Sequence, residues 1–277
     1  MLEFTKIASR YSVVRRLYAR GVTTAFLARD ERSDDLQVVV EMIPIDRDES
    51  AGALERRRAV IGLLAQLEHP NLAAPQDVFV DEPYLGVVKT WEPGVPLEEW
   101  LEKSSHEAWP LRVKLARDML EGLAAFHSTG LLHRDLRPRN VWVTTTGGRP
   151  TAQLDHFLDA VPEDEADGQL VGDPRRRAPE VVRSGDYSRR SDIYSAGLLL
   201  FDLLGESEQT DEASGLSEEA LHSVPAPYSE VVRRACRPFG VERFDDGLDL
   251  LAAFDAMDLQ RRLAEAGFDE DAGFGGD

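Results

Sequence analysis

Cysteine is all but missing from this chain. Cys236 is the single one in 277 residues, which excludes an intrachain disulfide and a cysteine-ligated metal cluster. Nothing then asks for an oxidising compartment, and a reducing cytoplasm is the expected location. Long apolar runs are lacking as well. A run such as Leu198–Phe201 falls far short of the ~20 residues that span a bilayer, and the opening MLEFTKIASRY holds no apolar stretch of the kind a secretory signal needs. No membrane partner is expected. Lysine is scarce: only Lys6, Lys89, Lys103 and Lys114 stand among the 32 basic residues, so few amines exist for chemistry that requires one.

Acidic residues, in contrast, are abundant and unevenly placed. Residues 1–92 carry 12 basic and 15 acidic groups, whereas 93–277 carry 20 and 36, and together they bring the net charge to −19. An acidic body of this kind repels nucleic-acid backbones and anionic lipid. It favours solubility, and beyond that a protein partner with a basic surface.

The hydrophobic pattern changes once along the chain, from strand-like to helix-like, and predicts two lobes. Tyr11–Leu17, Val22–Ala28 and Leu36–Ile43 read as an antiparallel meander, broken at Arg20-Gly21 and at the polar turn 30–35. A helix over 50–67 follows, its apolar stripe ending at His69-Pro70-Asn71 because proline cannot continue it. Ala74–Val80 and Tyr84–Val88 are two further strands, and Glu92-Pro93-Gly94 marks the boundary. Beyond it, 111–127, 192–204, 226–236 and 246–256 read as helices, with short strand-like pieces at Val141–Thr144 and Ala152–Leu154. The expected division is a small lobe over 1–92, a helical lobe over 93–266 and a mobile acidic tail over 267–277. The acidic stretch 205–225 is the expected place of partner contact.

His133-Arg134-Asp135-Leu136-Arg137-Pro138-Arg139-Asn140 sets an aspartate and an asparagine five residues apart, on a loop between a buried helix and a strand. Such a pair suits a base or orienter beside an amide oxygen able to ligate a hard cation. Asp155, ending the next strand-like run, can complete an oxygen site for magnesium. With these residues in this order, the chain resembles the eukaryotic-type Ser/Thr protein kinases over residues 11–257. HRDLRPRN is similar to their catalytic loop, Asp155-His156-Phe157 stands where D-F-G stands, and Ala178-Pro179-Glu180 is the A-P-E motif. Ser191–Gly197 resembles the central-helix motif, and Arg243 falls where an arginine pairs with the A-P-E glutamate. The resemblance implies an α+β, bilobal kinase-like fold with ATP in the cleft. It implies Asp135 as the group that accepts or orients the substrate hydroxyl proton, Arg137 in the place of the catalytic-loop lysine, and Asn140 and Asp155 as ligands of magnesium. Val39, Glu41, Lys89, Thr90, Glu92 and Arg20 are the residues expected to border the nucleotide.

The small lobe departs from that pattern. Tyr18, Arg20 and Thr23 occupy the three glycine positions of the phosphate-cradling loop, where side chains hinder close backbone approach. Val38-Val39-Val40-Glu41 places a glutamate where the phosphate-binding lysine belongs, and Val60 replaces that lysine's helix partner. Lys89 falls at the gatekeeper position, which predicts a charge-swapped pair with Glu41; Arg56 or Arg57 is the competing partner. Lys89 or Arg20 taking over phosphate contact is the functional variant of the same idea.

The segment 155–180 contains no Ser, Thr or Tyr, so phosphorylation cannot order it. Arg134 is expected to pair with one of its acids, Arg137 with Asp173, and Arg175–Arg177 with the acidic loop nearby. His156-Phe157 in place of Phe-Gly removes a hinge. The expected function is therefore a pseudokinase, a scaffold or nucleotide-dependent binding module, with ATP and magnesium bound weakly or not at all. The alternative is an active Ser/Thr kinase with a rearranged lysine, and a more distant one is another group transfer from ATP.

Overall fold

In the computed structural model, the residues described are 4–34, 36–46, 51–103, 109–145, 148–166, 168–205 and 216–265. The tail 267–277 and residues 206–215 of the acidic stretch 205–225 lie outside them. The small lobe is built on a six-stranded antiparallel sheet. Its strands are β1 (Lys6–Ile7), β2 (Tyr11–Arg20), β3 (Thr23–Asp30), β4 (Leu36–Pro44), β5 (Pro75–Asp81) and β6 (Tyr84–Thr90), in the order β1-β2-β3-β4-β6-β5. The turn between β2 and β3 is Gly21-Val22, and Gly21 supplies the positive φ of +54° that it needs. One face of the sheet packs Tyr11, Phe26, Val38, Val40, Met42 and Val88 together. The other packs Ile43, Leu85 and Val87 against Ile61 of α1 (Ala51–Leu64).

β7 (Gly94–Pro96) and α2 (Leu97–Lys103) lead into α3 (Trp109–His127), the central helix of the larger lobe. β8 (Leu131–Leu132), β9 (Val141–Thr144), β10 (Thr151–Leu154) and β11 (Val161–Pro162) form two small sheets, β10-β9-β7 and β11-β8. α4 (Pro179–Ser184), α5 (Arg189–Leu204), α6 (Glu218–Leu221), α7 (Tyr228–Ala235) and α8 (Gly247–Glu265) complete the chain. α8 runs nine residues beyond the 256 expected from its apolar stripe. Its last turns are held by Arg261 and Arg262 on Asp258 and by Arg261 on Glu265, one helical turn apart, a pattern that hydrophobic periodicity does not register.

A continuous core joins the lobes, from Val60 and Leu64 of α1 through Leu72, Leu154, Phe157 and Phe126 to Phe254 of α8. Val60 thus spends the expected ion-pair position on apolar packing. Asn71 straps the lobes: its carbonyl accepts from Leu154 N at 2.9 Å and its amide donates to Ala152 O at 2.9 Å. α3 approaches that strap so closely that a Cβ on Gly122 would sit 2.4 Å from the Asn71 carbonyl. Gly122→Ala is therefore expected to destabilise by about 2 kcal/mol, the cost of overpacking a rigid core, despite the ~1 kcal/mol that alanine gains in a helix. Urea unfolding of the variant checks this, and an unchanged midpoint would show that the strap yields.

Arg243, with its side chain fully buried, closes the lower lobe as expected. Its guanidinium donates to both Glu180 carboxylate oxygens at 2.6 and 2.8 Å and to the carbonyls of Arg190, Arg237 and Pro238. All five of its N–H groups have acceptors, and the plane lies over Tyr194 at 4.9 Å.

Candidate functional site

Alternation along β4 puts Val39, Glu41 and Ile43 on one face, and along β6 it puts Leu85, Val87 and Lys89 on the same one. The register pairs Val39 with Lys89 and Glu41 with Val87, so Glu41 and Lys89 are diagonal neighbours within reach of long side chains. Lys89 Nζ lies 2.9 Å from Glu41 Oε1, and the expected charge-swapped pair is present. It has a third member that the sequence reading missed: Asp155 Oδ1 lies 2.6 Å from the same ammonium. Tyr18 adds a fourth group, its hydroxyl donating to Glu41 Oε1 at 2.6 Å. Arg56 and Arg57 are not the partners of Glu41.

All three charged side chains are nearly closed off from water, at 6, 7 and 12% exposure for Glu41, Lys89 and Asp155. Burial works against the Lys89 ammonium, but Asp155 and Glu41 together hold its pKa above the ordinary lysine value. Burial likewise opposes the Asp155 carboxylate, and Lys89 outweighs it, so that carboxyl titrates below the usual aspartate range. Burial and the Glu41 charge push the Tyr18 phenol well up, which keeps it a donor.

The catalytic-loop residues are positioned from α5. Asp192 accepts from His133 N at 2.7 Å, Arg134 N at 2.9 Å and the His127 ring at 3.1 Å, fixing the turn in which Arg134 takes φ +65°. Asp135 then meets three donors: Asn140 Nδ2 at 2.6 Å, Arg137 Nη2 at 3.0 Å and Asp173 N at 3.1 Å. The expected Arg137–Asp173 bridge is thereby corrected. Arg137 turns inward to the more deeply buried carboxylate, while Asp173 caps the turn at Pro174 and binds Arg175 at 2.9 Å. The segment lies tight on the loop here, since a Cβ on Gly172 would be 2.7 Å from both Arg134 O and Asp135 Oδ1.

Arg134 reaches the Asp159 main-chain carbonyl at 2.7 Å and stacks on Tyr187 at 5.2 Å; Asp167, one of its expected acidic partners, lies outside the described residues. Glu163 binds Arg189 instead. Of the three consecutive arginines, Arg175 binds Asp173, Arg176 binds Asp202 of α5 at 2.6 Å, and Arg177 holds the carbonyls of Val171 and Gly172. Phe157 occupies the aromatic slot of the core, stacked on Phe126 at 5.5 Å and edge-on to His133 at 5.5 Å. His156, one residue earlier, adopts φ +67° and is half-buried.

Tyr18, Val39, Lys89, Thr90, Glu92 and Asp155 line the cleft together with Trp91, Trp142 and Gln153. Thr90 accepts from Gln76 at 2.6 Å, and Glu92 from Gln153 at 3.3 Å. Arg20 does not join them. It donates to Arg139 O at 3.1 Å and stacks on Tyr18 at 4.5 Å. The cavity left between these groups is about 40 Å³, room for a few waters, whereas pockets for drug-sized ligands run to roughly 300–1,000 Å³.

A triphosphate and its magnesium ion do not suit this arrangement. The only nearby ammonium is neutralised by two carboxylates, and Glu41 would face the phosphates with like charge. Of the two expected magnesium ligands, Asp155 is held through Oδ1 by Lys89 and the His156 N–H, while Asn140 is oriented by its amide N–H₂, which donates to the Asp135 carboxylate at 2.6 Å and to its carbonyl at 2.8 Å and takes up no acceptor of Asn140. What the groups do well is brace one another: β4, β6, β10 and the first hairpin meet at a single polar knot.

A family model described as protein kinase domain matches residues 20–253. The chain is 26% identical over 234 residues to the probable serine/threonine-protein kinase PknB of Lactococcus lactis, covering 82% of this chain and 37% of that protein. To the serine/threonine-protein kinase PknL of Mycobacterium tuberculosis it is 27% identical over 280 residues, covering 95% and 69%. To the serine/threonine-protein kinase PrkC of Bacillus subtilis it is 24% identical over 290 residues, covering 95% and 43%. The chain thus spans well under half the length of the Lactococcus and Bacillus relatives. Among its described residues, no helix is long and apolar enough to cross a membrane.

Proposed function

The chain belongs to the protein kinase family, and from that premise we propose that it is a pseudokinase, a kinase-shaped binding module that does not transfer phosphate. The observation that carries this reading is the lock on Lys89, held by Glu41 and Asp155 at 2.9 and 2.6 Å. Phosphoryl transfer is catalysed almost wholly by positioning and electrostatic stabilisation, and losing one such group typically costs a factor of about 100–1,000. Here the ammonium is neutralised, the phosphate position carries a carboxylate, and Asp135 already accepts three hydrogen bonds.

A fixed activation segment supports a scaffold role. Arg134, Arg176 and Tyr187 tie it to the body of the lobe, Arg177 folds it back on itself through the Val171 and Gly172 carbonyls, and 155–180 offers no hydroxyl to phosphorylate. With its acidic larger lobe, the module suits a protein partner that presents a basic face, in the cytoplasm, and excludes nucleic acid by charge.

The test is thermal unfolding with ATP, with and without magnesium, paired with radiolabelled phosphate transfer. No shift is expected up to millimolar ATP, and label transfer equal to that of Asp135→Asn. A ligand at 100 times its Kd adds about 2.7 kcal/mol, so a magnesium-dependent rise would sink this reading and favour an active kinase that uses Lys89.

A further inference from the structure

Next to the Lys89 knot lies a second cluster that none of those contacts uses. Asp135, His156 and Asp159 each place a ligand atom within 4.8 Å of the other two, with Asp135 buried and the others half-buried. His156 is there because its backbone turns left-handed, at φ +67° and ψ +62°, a conformation that a residue with a Cβ adopts only when its surroundings impose it. The His156 N–H on Asp155 Oδ1, at 2.6 Å, is what imposes it. Among the described residues, no hydrogen bond or ion pair engages the His156 ring or the Asp159 carboxylate. Asp135 meets three donors, and a carboxylate offers about four lone-pair sites, so one remains.

We propose that Asp135, His156 and Asp159 bind a divalent transition-metal ion, zinc above all. One imidazole nitrogen with two carboxylate oxygens is a donor set for a borderline cation. Magnesium and calcium prefer oxygen alone, while zinc takes nitrogen and oxygen in a four-coordinate site whose last position water can fill. The ion would clip the catalytic loop to the start of the segment after Asp155, doing by coordination what a phosphorylated side chain does elsewhere. A net charge of −19 draws cations to the molecule in general, so the geometry and not the charge must supply selectivity. The assignment rests on the pseudokinase reading in one respect, since an Asp135 carboxylate given to a metal accepts no substrate proton. Its test therefore reads metal binding and not phosphate transfer.

Tag-free protein would be titrated calorimetrically with zinc chloride and magnesium chloride, and the visible absorption of a cobalt(II) complex recorded. The expected result is one equivalent of zinc, weak or no magnesium binding, and cobalt bands of low coordination number. His156→Ala and the near-isosteric Asp159→Asn should each weaken zinc by tenfold or more, since even outer partners of a metal site are worth about 10–100-fold. Absence of zinc binding, affinity unchanged in both variants (an adventitious site elsewhere), or equal affinity for magnesium would overturn the proposal. Far-ultraviolet dichroism of both variants would show that they are folded, and Asp159→Asn leaves the His156 backbone turn untouched.

Discussion

Lys89→Met is expected to lower the free energy of unfolding by about 3–5 kcal/mol, because it leaves Glu41 and Asp155 as buried carboxylates with no cation between them. The expected loss exceeds any value of the Lys89 contacts themselves, since it is the stranded charges that cost. Its pH dependence separates this cause from simple loss of packing. In the unsubstituted protein the Asp155 pKa is lowered from 3.8, so its contribution is full above that value and fades as the pH falls through the folded one. The Lys89 pKa is raised from 10.5, so its contribution is full below that value and fades as the pH rises through the folded one. Between about pH 5 and 9 the knot therefore adds no slope.

In Lys89→Met the sign reverses. Burial and like charge push one of the two carboxyls up, the folded state then holds a proton that the unfolded state does not, and stability rises as the pH falls from 8 to 5. Adding Glu41→Gln should recover part of the loss and flatten that slope. Urea unfolding at several pH values reads both effects. A Lys89→Met loss that is small and independent of pH would mean that the three groups are hydrated in solution.

Arg243→Ala is the second large effect, again about 3–5 kcal/mol, the range for breaking a buried ion pair by removing one partner. Unlike Lys89, this arginine also satisfies three main-chain carbonyls, those of Arg190, Arg237 and Pro238. Its removal orphans these as well as Glu180. Arg243→Lys should not rescue, because an ammonium has three donors and no planar fork for the two Glu180 oxygens. Equal stability of Arg243→Lys and the unsubstituted protein would contradict this account. The fluorescence of the tryptophans during chemical unfolding, with hydrogen exchange in α4, would show whether the damage is global or confined to the Glu180 helix.

Most of the architecture was legible because it rests on local pattern. Alternation located the meander and the 3.6-residue stripe located α3 and α5, while Pro70 and the Glu92-Pro93-Gly94 break marked the ends. α2 and α4 were missed because helices of seven and six residues are too short to show a period. The pairing of Glu41 with Lys89 was also readable, since a glutamate in a run of valines needs a partner and lysines are few. The Arg137–Asp173 bridge was misread for the opposite reason: both residues had several partners in reach, and burial of Asp135 decided between them.

Residue types, their order and their spacing were thus enough to establish the protein kinase family, the loss of the phosphate lysine to Glu41, and the lack of any hydroxyl in 155–180. Tertiary structure alone decided that Asp155 joins Lys89, that Tyr18 closes the cleft onto Glu41, and that Asp135, His156 and Asp159 converge. Spacing along the chain does not determine these, because each joins side chains from separate elements whose distance is set by how β4, β6, β10 and the first hairpin pack. In a nearly dry cleft, the charges there settle wherever they find the most compensation.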